Sequence, residues 1–146
     1  MTTGTDSETA TEMADTMTVS HLGADRFEVS IRGHTITIDQ PTDTGGEDTA
    51  PTPTELFIAG LASCVAFYAR RYLARHDLDA TGLQVSARFA MGGKPNRVTD
   101  IAIQIAPPFG LPEARRAALL AVASHCTVHN TLERPPAVQI TFAASP

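Results

Sequence analysis

Residues 52–76, TPTELFIAGLASCVAFYARRYLARH, decide the fold. Thr52 is suited to a helix N-cap. Pro53 fits the first helical position, where a missing N–H costs nothing, and Glu55 three residues on completes a capping box. From Leu56 to Ala69 the chain carries no charge and is almost wholly apolar. A helix that is apolar on most of its faces is buried. The stretch therefore predicts a long central helix ending near His76, where DLDATG stops it. The uncharged segment of 14 residues is shorter than the roughly 20 a bilayer span requires.

Upstream, MTVSHLG, RFEVSIRG and HTITIDQ alternate polar and apolar residues, with Gly23 and Gly33 between them. They read as three antiparallel strands. PTDTGGEDTAPTP is the longest internal loop, and loops of that length are often functional. Downstream, LQVSARFAMG and RVTDIAIQIA are two more strands joined around GGKPN. PPFGLPEARRAALLAVASH is a second helix with Pro112 in its first turn, and AVQITFA is a closing strand after RPP. Asn130 and Thr131 read as residues that cap or turn the chain after Cys126. The order is β-β-β-α-β-β-α-β, an α+β protein with an antiparallel sheet, one domain over residues 17–146 and a disordered acidic tail over residues 1–16.

A 146-residue chain buries enough surface to fold without a disulfide staple. The net charge of −5, with no Lys/Arg run, argues against nucleic acid and anionic membranes as partners. The N-terminus lacks the basic and apolar regions of a secretory signal, which points to the cytoplasm. In a reducing compartment two cysteines are catalytic, redox-sensing or metal-binding more often than a permanent bridge.

Those cysteines are Cys64 in the long helix and Cys126 in SHCTVHN. On a helix Phe57, Gly60, Leu61, Cys64, Phe67, Tyr68 and Arg71 share a face. A thiol there is either a small core hydrophobe or a reactive group supplied with a cation from elsewhere in the fold. His125, Cys126 and His129 are a candidate metal cluster. They lack a fourth ligand in sequence and any CxxC or HExxH pattern, and no metal or cofactor is expected. Glu55 is explained by capping as readily as by chemistry.

TPTELFIAGLASCVAFYA resembles the central-helix signature of the OsmC/Ohr family of thiol-dependent peroxidases. HCTVHNTL is similar to that family's second cysteine motif in its OsmC-like branch. The separation of 62 residues between the cysteines and the strand order fit as well. The resemblance covers roughly residues 17 to 143. It implies an intertwined homodimer with the long helices at its centre and the active sites at the interface. It implies hydroperoxide reduction, with Cys64 as the peroxidatic thiolate and Cys126 as the resolving cysteine, and an external dithiol as reductant. Typical members place a glutamate ten residues before the first cysteine, paired with an arginine of the first hairpin. Here those positions hold Thr54 and Ala24. The activating pair is then either shifted to Glu55 and Arg26 or missing. If it is missing, the family resemblance implies a non-enzymatic redox sensor or small-ligand binder instead.

Overall fold

A computed structural model describes residues 16–144. The acidic tail expected over residues 1–16 lies, Thr16 apart, outside them. The described chain divides into two compact units, one ending at Pro53 and the other beginning at Thr54.

The first unit is a meander of β1 (Thr18–Gly23), β2 (Arg26–Ile31) and β3 (His34–Ile38), in the order β1-β2-β3 and antiparallel throughout. Both tight turns use left-handed backbone, Ala24 at φ 49° before β2 and Arg32 at φ 48° before Gly33. After β3 the chain makes a short 3-10 turn, Thr42–Thr44. The long loop there is organised by Asp39, whose side chain is fully buried. Its carboxylate accepts hydrogen bonds from the backbone N–H of Gln40 at 2.7 Å and of Thr49 at 3.0 Å, and from the Thr49 hydroxyl at 2.6 Å. Gly46 closes the loop against Gln40. A Cβ at this position would overlap the Gln40 carbonyl, so only glycine fits.

The second unit is built on α1 (Pro53–Arg75), as the 52–76 stretch predicts. Its end is a Schellman motif. Asp77 is left-handed at φ 54°. The Asp77 N–H reaches the Ala74 carbonyl at 3.2 Å, and the Leu78 N–H reaches that of Leu73 at 2.9 Å. Leu78 also packs against the core that contains Leu73, which is the apolar contact this motif favours. β4 (Gln84–Gly92) and β5 (Arg97–Ala106) form an antiparallel pair. α2 (Glu113–Ala123) follows, capped by Pro112 with no side-chain hydrogen bond.

The core of this unit consists of Leu61, Val65, Ala69, Tyr72 and Leu73 of α1 with Leu111, Leu119, Ala123 and Cys126. Ile101, Ile103 and Ile105 of β5 pack onto it. Truncating a side chain as buried as Leu73 costs about 2–5 kcal/mol. By length and composition α1 is long and apolar enough to cross a bilayer. Its spacing of buried positions 58, 61, 65, 69 and 72 is instead that of a helix laid on a core.

Three expectations need correction. AVQITFA is not a strand of either sheet. Residues 135–144 are irregular, with Ile140 93% exposed. Alternation declares strand propensity, but a strand also needs an edge to pair with, and Pro135 and Pro136 withhold two N–H donors at its start. Second, α1 is not buried all round: Phe57 and Phe67 are exposed. A further helix, α3 (Thr127–Glu133), stands where only a turn was expected after Cys126.

Candidate active site

Cys126 sits at the N-cap of α3, and its sulfur accepts the His129 N–H at 3.4 Å. Ser, Thr, Asp and Asn are the usual caps, so nothing in SHCTVHN announced this helix start. Within α3, Asn130 donates to the His125 carbonyl at 3.2 Å and Thr131 to that of Thr127 at 2.8 Å. His129 Nδ1 lies 2.6 Å from the Ser124 carbonyl. That oxygen only accepts, so Nδ1 carries the hydrogen. His129 Nε2 faces Glu133 at 3.4 Å. The Nδ1–H bond to the Ser124 carbonyl orients the His129 ring. Among the described residues no three His, Cys, Asp or Glu side chains converge to hold a metal ion.

Cys126 is fully buried, and the half-buried Cys64 packs on the same core cluster. Both are free thiols. Burial pushes the Cys126 thiol up from the ordinary cysteine range. The N–H of His129 pulls it down, while interaction with Cys64, by hydrogen bonding and by charge, pushes it up again, and the N–H of Val128 opposes weakly. The two cysteines, 62 residues apart in sequence, are thus electrostatic neighbours. Tyr68, one turn along α1 from Cys64, joins the same elements. Its hydroxyl is 3.0 Å from that of Thr127.

Glu55 lies in the first turn of α1. Neither it nor Thr52 is without a partner. Nine residues at 100° each put Glu55 on the opposite face of the helix from Cys64, about 13 Å away along the axis. Arg26 belongs to the first unit, at the start of β2, opposite Gly23. Its Nε is buried with no hydrogen-bond partner. Leu61 and Val65, which flank Cys64 in sequence, border a cavity of about 170 Å³. Three isoleucines of β5, Leu120, Ala123, Ser124 and His129 complete it.

A half-buried thiol on a long core helix, beside a fully buried thiol at the cap of another, defines an α+β protein with a cysteine pair. Residues 45–141 match the OsmC-like protein family, spanning the boundary between the two units. Solved structures agree in fold. One is a Psychrobacter arcticus protein described in terms of osmotic stress induction and detoxification response. It is 24% identical at TM-score 0.77, over 82% of this chain and 89% of that one. Another is an organic hydroperoxide resistance protein of Legionella pneumophila, 21% identical at TM-score 0.63, over 83% and 91%. A third is an organic hydroperoxide resistance protein of Elizabethkingia anophelis, 17% identical at TM-score 0.61, over 85% and 92%. No curated protein matches the sequence. The chain belongs to the OsmC-like protein family.

Proposed function

We propose that this chain is a cytoplasmic thiol-dependent peroxidase that reduces organic hydroperoxides or hydrogen peroxide in oxidative-stress defence. The observation that carries this is the packing of Cys64 and Cys126 on one core cluster, both as free thiols. The hydroperoxide-resistance descriptions of the Legionella and Elizabethkingia proteins support it.

In the first step the Cys64 thiolate attacks the distal peroxide oxygen. The O–O bond breaks, sulfur gives up two electrons, and the alkoxide leaves as the alcohol after taking a proton. Cys64 is then a sulfenic acid. The Cys126 sulfur attacks it, an S–S bond forms, and the sulfenic oxygen leaves as water with the Cys126 proton. An external dithiol supplies two electrons and restores both thiols. The raised affinity of Cys126 for its proton suits a resolving thiol. It stays a thiol at neutral pH until it attacks the sulfenic acid.

In this reading the cation that stabilises the Cys64 thiolate is Arg26, the first-hairpin arginine two residues from the family's usual position. Glu55, on the far face of α1 from the Cys64 of the same chain, is the residue this reading gives the positioning role, as the shifted counterpart of the family's glutamate. The reading includes a homodimer of one OsmC-like domain per chain, with the exposed Phe57 and Phe67 face of α1 covered by a second copy. A non-enzymatic thiol sensor or small-ligand binder is the second reading, favoured by Thr54 and Ala24 at the usual positions and by the apolar cavity beside Leu61.

Intact-mass analysis with thiol counting, before and after one equivalent of cumene hydroperoxide, tests the mechanism. Loss of both thiols and about 2 Da within seconds, expected for disulfide formation, supports it. Cys64→Ser should consume no peroxide. Cys126→Ser should turn over once and stop at a sulfenic or overoxidised Cys64. Two free thiols after minutes in the wild type would overturn the peroxidase reading in favour of the second.

A further inference from the structure

Cys64 and Tyr68 stand at i and i+4 of α1, neighbours on one face and about 6 Å apart along the axis. Cys126 and Thr127 are the N-cap and the first residue of α3. The Tyr68 hydroxyl lies 3.0 Å from the Thr127 hydroxyl, across 59 residues of sequence. Each end of this hydrogen bond is thus close along the chain to one cysteine of the pair. The other side chains of the second segment bond locally. His129 donates to the Ser124 carbonyl, Asn130 to that of His125 and Thr131 to that of Thr127. These bonds shape the turn around Cys126 but do not tie it to α1. Cys126 does pack with Leu61, Val65 and Ala69 of α1, yet apolar contact has no direction. A hydrogen bond does, and it sets both separation and angle. The phenol has a fixed base. The Tyr68 ring packs on the core cluster and meets the Phe67 ring edge-on, with centroids 5.5 Å apart.

We propose that the Tyr68–Thr127 hydrogen bond is a clamp that holds Cys126 in register with Cys64, with Tyr68 as a positioning residue for disulfide formation. The proposal rests on the redox reading of the pair. A disulfide tolerates little error in alignment, since its Cα atoms must stand about 4.4–6.8 Å apart with the Cβ vectors converging. The hydrogen bond and the disulfide are two ties between the same two segments. Either one removes freedom that the other would otherwise have to remove, so each favours the other. In the resolving step the Cys126 sulfur attacks the Cys64 sulfenic acid, an S–S bond forms, and the oxygen leaves as water with the Cys126 proton. The clamp exchanges no electron or proton in this step. It shortens the life of the sulfenic acid, which a second peroxide molecule would otherwise oxidise to sulfinic acid.

The test is a double-mutant cycle on the full-length chain: wild type, Tyr68→Phe, Thr127→Val and the double variant. Each is equilibrated with glutathione redox buffers, and the disulfide fraction is read by intact mass. Each single substitution is expected to lower the effective concentration of the thiol pair about fivefold, the weight of one net hydrogen bond. The double variant should fall no further, and Thr127→Ser, which keeps the hydroxyl, should match the wild type. With excess cumene hydroperoxide, Tyr68→Phe should leave a larger share of Cys64 as sulfinic acid. Equal effective concentrations in all four proteins, or losses that simply add in the double variant, overturn the clamp. A wild type that forms the disulfide in glutathione but consumes no peroxide removes the peroxidase reading alone, and the cycle still decides the clamp. A wild type with no disulfide in any buffer overturns the clamp itself, because there is then no pair to align. If Thr127→Val is not folded by circular dichroism, Tyr68→Phe and Thr127→Ser decide: the first lowered and the second unchanged support the clamp, and any other result overturns it.

Discussion

At the scale of single residues, Cys126 and Asp39 are held away from their ordinary ionisation, in opposite directions. Cys126 is pushed up, first by burial. The folded chain therefore holds that proton more tightly than the unfolded one. The effect leaves stability unchanged below about pH 8.5, the ordinary thiol pKa, and erodes it as pH rises beyond. Iodoacetamide at pH 8 should accordingly label Cys64 well before Cys126 in the native protein, and both at similar rates in urea. Equal native rates would show that the burial of Cys126 does not protect it. Asp39 is pulled down to about 2, chiefly by the Thr49 hydroxyl and N–H, with burial opposing. Its contribution is present above its unfolded pKa of about 3.9 and is lost as pH falls toward the folded value. Asp39→Asn, which keeps the shape but loses the charge, should lower the thermal midpoint at pH 7 and converge with wild type near pH 2. A pH-independent difference would mean that the carboxylate's charge plays no part in ordering the loop.

At the scale of elements, the sequence was most legible where local chemistry and packing agree. TPTE starts α1 and Asp77 ends it, and the alternating runs of β1 to β5 pair as they read. It was least legible where one residue carries two roles. Cys126 is both a core thiol and the cap of α3, and capping preferences point to oxygen side chains, so the helix was read as a turn. Glu55 shows the converse. The capping box and the redox reading use the same residue, and spacing alone could not separate them. Helix geometry does constrain the question, by setting Glu55 and Cys64 on opposite faces of α1. The cap can be tested apart from the thiol chemistry. Cys126→Ser supplies a hydroxyl acceptor for the His129 N–H, whereas Cys126→Ala removes the acceptor and should cost about 1 kcal/mol more. Urea unfolding of the two variants makes the comparison. If the alanine variant is as stable as the serine one, α3 does not depend on this cap.

At the scale of the whole molecule, what the sequence could not supply was a partner for its last segment. Val138, Ile140 and Phe142 alternate as a strand would, yet they are 76%, 93% and 102% exposed. Val19, Leu22, Phe57 and Phe67 are exposed as well. An apolar row of this kind, left in water with unpaired backbone beside it, is a template for pairing with another chain. The homodimer proposed above would give the row that partner. Ile140→Asp/Phe142→Asp places two charges in the row and leaves the core cluster around Leu73 and Cys126 untouched. Sedimentation velocity should show the wild type as a dimer at micromolar concentration and the variant shifted toward monomer, with helical content unchanged by circular dichroism. A wild type that sediments as a monomer across that range would remove the dimer from the proposed function. A variant that remains fully dimeric would instead place the interface on the exposed aromatic face of α1, where Phe67→Asp becomes the deciding substitution.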